Sequence, residues 1–181
     1  MNKAIKRIVQ GLSICLIGLA CAAQGADGTI KTKVKFIQFT CNLTAASKNM
    51  SVPLGDINRS QLAKTGNLSS PVLFELKATG CPTTGKTGVY VRFSGTAAAG
   101  NYQAFVLDQD SVASGVAVKI ANEGYNGVYD YFVIPNGSSR TYTPSFKGEL
   151  TMKYAAQYVA LNDYVTPGTA NLTTQIDLYY Y

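Results

Sequence analysis

Gly80-Cys81-Pro82-Thr83-Thr84-Gly85-Lys86-Thr87 satisfies the phosphate-loop pattern GxxxxGK[ST] letter for letter. Such a loop needs a strand before it and a helix after it, whose N-terminal amides hold the phosphates. A strand-like run does precede it, but Gly88-Val89-Tyr90-Val91-Arg92-Phe93 follows, and its alternation is that of a second strand. The segment therefore reads as a turn between strands. There is no histidine in the chain, which removes the commonest general base and metal ligand. Asp108 and Asp110 suggest a calcium site, but an oxygen cage needs more ligands than are visible around them. No carboxylate pair, serine or lysine stands in a catalytic setting. The twelve tyrosines could stack on sugars, but sandwich core and protein contacts are their commoner use. The residues predict no enzyme, no cofactor and no metal.

The four cysteines place the chain in a compartment. Lys3, Lys6 and Arg7 form a positive start, Ile14 to Ala20 an apolar run, and small residues follow, so residues 1–25 read as a signal peptide. Cleavage after Gly25 competes with cleavage after Ala23. Cys21 as an acylated residue is disfavoured, because Leu is not three places ahead of it. Cys41 and Cys81 then remain in an exported chain, where two cysteines are expected to pair; two separate buried thiols are the alternative. Removing three of the 16 Lys and Arg against 10 Asp and Glu leaves about +3, scattered, which does not suit a nucleic-acid partner.

The elements that would carry these residues are strands. Phe74, Leu76 and Ala78 alternate with Glu75 and Lys77; Val89, Val91 and Phe93 with Tyr90 and Arg92; Val116, Val118 and Ile120 form a third face. Leu150, Met152, Tyr154, Ala156 and Tyr158 alternate with Thr151, Lys153 and Gln157. Turn signals fall at Pro53-Leu54-Gly55, Gly80-Cys81-Pro82, Gly95, Gly100, Pro135-Asn136-Gly137 and Pro167-Gly168, and only Arg59 to Lys64 suggests a helical turn. With 46% hydrophobic residues, 181 residues make one all-β domain, a sandwich of immunoglobulin type.

The two ends are unusual. Ile30, Thr32, Val34 and Phe36 share one phase, and Ile37, Phe39, Cys41 and Leu43 take the opposite one. One strand cannot keep both sets on one face. Either a β-bulge intervenes, or residues 26–36 are an arm that serves another molecule's core, with the domain itself at 37–181. At the far end Ala170, Leu172, Thr174, Ile176, Leu178 and Tyr180 share a phase, in a strand that must be paired or protected.

These residues resemble the type 1 pilus subunits of Gram-negative bacteria. The start Ala26-Asp27-Gly28-Thr29-Ile30 is similar to that of the minor, adaptor pilins. Val52-Pro53-Leu54-Gly55 resembles the family's second-strand motif, and Phe74 to Cys81 its strand ending in the second cysteine. Thr166-Pro167-Gly168-Thr169-Ala170-Asn171 with the strand after it resembles the family's ending, with Gly168 fourteenth from the end and Tyr180 penultimate. The resemblance implies an incomplete immunoglobulin-like β-sandwich lacking its last strand, completed by donor-strand exchange. It implies a donor strand carried by Ile30, Thr32, Val34 and Phe36. The chaperone and groove edge would be Gly168, Leu172, Thr174, Ile176, Leu178 and Tyr180. The implied partners are a periplasmic chaperone, an outer-membrane usher and neighbouring pilins, with host contact only indirect and the fimbrial surface as destination. Val34 stands where the adaptor pilins usually have Gly, which implies a wider receiving pocket or a shifted register. The expectation is a structural minor or adaptor subunit. A receptor-binding tip adhesin is the alternative; such tips carry a lectin domain ahead of the pilin domain, for which the chain has no room.

Overall fold

In the computed structural model, residues 40–83, 88–124 and 126–181 are described. They belong to the compact unit Gln38–Tyr181. The expected signal segment, the arm with Ile30, Thr32, Val34 and Phe36, and the phase change at Phe36/Ile37 lie outside the described residues.

The alternating runs become strands because each offers one apolar face to a shared core. Among the described residues the chain forms β1 (Asn42–Leu43), β2 (Val72–Thr79), β3 (Val89–Phe93), β4 (Ala97–Ala98), β5 (Asn101–Phe105), β6 (Val116–Glu123), β7 (Tyr129–Phe132), β8 (Leu150–Ala160) and β9 (Ile176–Tyr180). A seven-stranded sheet runs β1-β2-β8-β6-β5-β4, with β7 also on β6, and β3 pairs with β9 in a second sheet. All named pairings are antiparallel. The segment around Ser138–Tyr142 bridges the outer edge of β3, at Arg92↔Ser138 and Val89↔Tyr142.

Between the sheets lie Leu76, Val89, Val91, Phe93, Phe105, Val118, Ile120, Met152 and Tyr154, all buried. Each such side chain contributes about 1.5–3 kcal/mol through lost water contact. Tyr154 sits at the centre, stacked on Phe74 at 5.4 Å and edge-on to Phe93 at 5.1 Å. Cys41 and Cys81 are bonded, S–S 2.06 Å, and tie the start of β1 to the loop after β2.

Two short helical pieces flank β1 and β2. A helical turn, α1 (Ala45–Lys48), starts at Thr44, whose Oγ1 accepts from Ser47 N–H at 3.3 Å. A 3-10 turn spans Arg59–Leu62, inside the stretch where a helical turn is expected, capped by Asn58 Oδ1 accepting from Ser60 N–H at 2.9 Å. The alternation expected in β8 holds on the core side, but Gln157 on the other side is buried as well. There Ala117 of β6 and Val159 of β8 pack with Ala98 and Ala104 as a second small cluster, so the long sheet is covered on both faces at that end.

Candidate strand-binding groove

β9 is satisfied on one side only. Tyr181 and Gly88 exchange both main-chain hydrogen bonds at 3.2 Å, and Ser94 N–H donates to Gln175 at 2.9 Å. In an antiparallel ladder hydrogen-bonded pairs alternate with non-bonded ones. Residues 175, 177, 179 and 181 therefore turn their amides and carbonyls toward β3. Ile176, Leu178 and Tyr180, opposite Phe93, Val91 and Val89, turn theirs to the other side. No described strand pairs with that edge. The same residues direct their side chains at the core, where Leu172, Ile176, Leu178 and Tyr180 pack half-buried.

Across from this edge runs the segment Asn49–Ile57. Between the two lies a groove of about 1100 Å³. Leu172, Thr174 and Ile176 form one wall, Met50, Val52, Leu54 and Ile57 the other, and Phe74, Leu76, Phe93, Val118, Ile120 and Tyr158 lie on its floor. Leu76, Phe93, Val118 and Ile120 on this floor belong to the buried core between the sheets, so the groove lies directly against the core. The lining extends to Val165–Thr169. Tyr180 O–H donates to the Cys41 carbonyl at 3.3 Å, and its burial raises the phenol above its ordinary value of 10.

Gly168 shapes this stretch of the lining. Its φ is +152°, and a Cβ there would meet Ala113 N at 2.6 Å and the Val112 carbonyl carbon at 2.8 Å, so a side chain is excluded. The loop is fixed by Val112 N–H donating to the Thr169 carbonyl at 3.0 Å and by Tyr158 O–H donating to the Ala170 carbonyl at 2.7 Å. Asp108 accepts from Thr173 N–H at 2.9 Å and from its hydroxyl at 2.7 Å, so this carboxylate ties down the approach to β9.

Of the residues singled out for the edge, Gly168, Leu172, Thr174 and Ile176 line the groove together. Leu178 and Tyr180 are not part of its lining. The second wall was not assigned from sequence. Its one signal is Val52-Pro53-Leu54-Gly55, where Val52 and Leu54 are half-buried between exposed neighbours. The floor is apolar, the walls are mixed, and Lys48, Asp56 and Arg59 are the charged residues of the lining, so the groove offers burial and main-chain hydrogen bonds rather than acid–base chemistry.

A two-sheet antiparallel β-structure with one open strand position defines the class: an immunoglobulin-like sandwich left incomplete at one edge. The family model described as "Fimbrial protein" matches residues 27–181, and the chain belongs to this family, as a fimbrial subunit and not an enzyme. It is 31% identical over 170 residues to the fimbrial-like protein FimF of Salmonella typhimurium, covering 92% of this chain and 93% of that one. It is 29% identical over 186 residues to the probable major fimbrial subunit LpfA of Escherichia coli O157:H7, covering 99% of each. A solved chaperone–usher pilus structure superposes with a TM-score of 0.65 at 20% identity, over 87% of this chain and 97% of that one.

Proposed function

We propose that this subunit polymerises by strand addition. The groove accepts a strand from a periplasmic chaperone during export, and from a neighbouring pilin in the fibre after passage through the usher. The observation that carries this reading is the coincidence of a main-chain edge that no described strand covers with a groove floored by apolar side chains. An added strand gains hydrogen bonds from Ile176, Leu178 and Tyr180 and places alternate side chains over Phe93 and Ile120. Antiparallel addition continues the pattern of every named pairing in the domain and is the slightly stronger geometry.

Residues 26–36 supply the strand this subunit gives to its neighbour, with Ile30, Thr32, Val34 and Phe36 inward. The start Ala26 to Ile30 supports a minor or adaptor position in the fibre. The full-length likeness to a probable major subunit favours a second placement, in the rod. The tip-adhesin alternative has less support, since both relatives match over nearly their whole length and are named as fimbrial proteins.

Deleting Ala26 to Lys35 tests the arm. The variant should still co-purify with its chaperone but should not be added onto the preceding subunit. Unfolding of the deleted chain in its chaperone complex would show that the arm belongs to its own domain.

A further inference from the structure

The chain holds two Asn-Gly steps, Asn126-Gly127 and Asn136-Gly137. In this dipeptide the second residue has no Cβ, so its main-chain nitrogen can approach the asparagine side chain closely. The fold treats the two steps differently. Asn136, at a φ of 62°, is fastened through both side chain and main chain. Its Nδ2 donates to the Gly95 carbonyl at 2.7 Å, and its Oδ1 accepts from Gly95 N–H at 3.2 Å. Its N–H donates to the Phe93 carbonyl at 2.8 Å, and Gly137 N–H donates to the Ile134 carbonyl at 2.8 Å. Side-chain amide and following nitrogen are thus both engaged elsewhere. Asn126 is exposed in the turn between β6 and β7, and its side chain makes no hydrogen bond with another described residue. Gly127 N–H reaches only the Gly124 carbonyl, at 3.2 Å within the same turn.

We propose that Asn126 is a site of spontaneous deamidation in the folded chain and that the fold protects Asn136 from the same reaction. The Gly127 main-chain nitrogen gives up its proton to solvent base and bonds to Asn126 Cγ. The Cγ–Nδ2 bond breaks, and that nitrogen leaves as ammonia. Water then opens the succinimide ring at either carbonyl, which gives aspartate or isoaspartate at position 126. Nothing is oxidised or reduced, and water is the only co-reactant. At Asn136 the side chain must first leave Gly95 and the nitrogen must leave Ile134, so the reaction there proceeds only through local opening. The product adds an anion to a turn flanked by Glu123, which Lys153 already holds at 3.3 Å, and by Asp130. The steps are not reversed, so the fraction carrying the added carboxylate rises with the age of the fibre. Neither Asn126 nor Gly127 lines the strand-binding groove, so the modified chain keeps that site.

The test incubates fibres sheared from the producing cells in warm, mildly alkaline buffer, beside the same chain unfolded in denaturant. Trypsin releases both asparagines in one peptide, Ile120 to Arg140, so fragment ions in the mass spectrum assign the site. In the fibre that peptide should gain about 1 Da, with Asn126 reacting at least about tenfold faster than Asn136. In the unfolded chain the two should react alike, which makes the fold and not the dipeptide the source of the difference. Enzymatic methylation of isoaspartate should label this peptide from wild-type fibres. Asn126→Gln should abolish both the mass gain and the label. Equal rates at the two positions in the fibre would overturn the proposal, as would an Asn126 that stays intact there.

Discussion

Cys41 and Cys81, 40 residues apart, join the start of β1 to the loop after β2. On the chain-entropy account, cross-linking a loop of that length stabilises the fold by about 4 kcal/mol. The Cys41→Ser/Cys81→Ser double variant should therefore lose about that much, read as a lower denaturant midpoint of the chaperone complex, and an unchanged midpoint would contradict it. Thiol labelling of the denatured, unreduced mature chain should find no free cysteine. The pairing was legible because only these two cysteines follow the signal segment. Gly168 was legible as a turn residue and, through the resemblance, as part of the groove edge. Its reason, the approach of Val112 and Ala113, is a contact between loops more than fifty residues apart, which no local pattern reports.

At the scale of elements, β2, β3, β6, β8 and β9 could be read because one covered face leaves a period-two trace. β4, β5 and β7 could not. Ala97-Ala98 carries no alternation, Asn101 to Phe105 ends in two consecutive buried residues, and Tyr129 to Phe132 is exposed at its centre. Gln157 misled for a related reason: the small cluster behind β8 covers the face that its polarity assigns to solvent. For β9, Tyr180 both packs on the core and donates its O–H to the Cys41 carbonyl. Tyr180→Ser should cost about 2 kcal/mol of packing. Chaperone co-purification and periplasmic abundance should fall several-fold as the unprotected subunit is degraded. A normal yield of chaperone complex would count against β9 as the docking edge.

Across the whole molecule, the tyrosines give stability a dependence on alkali. Burial raises the phenols of Tyr142, Tyr158 and Tyr180 above 10 and that of Tyr154 well above it. The unfolded chain loses these protons first, near pH 10, so it binds fewer protons than the folded one. The stability is fully present below pH 10 and is lost as pH rises through the higher folded values. Tyr129 and Lys153 are raised as well, and Lys119, whose ammonium is disfavoured by burial, works in the opposite sense. Denaturation midpoints of the chaperone complex should be level from pH 7 to 9 and fall beyond pH 10. Tyr154→Phe should make that fall shallower, and an equally steep fall in the variant would remove Tyr154 from the account.

The groove has walls of unequal stiffness. β9 is laced to β3 by a main-chain ladder, whereas among the described residues no main-chain amide or carbonyl from Met50 to Ile57 bonds to another main-chain group. That segment is held by the α1 turn and the Asn58 cap where it ends and, between them, by side-chain packing of Leu54 and Ile57. A guest strand is thus measured against one rigid ruler and held by a wall that can give way. Register is set on the rigid side, while side-chain bulk is absorbed on the compliant one. Such a seat can discriminate where a strand sits while remaining tolerant of how large its residues are.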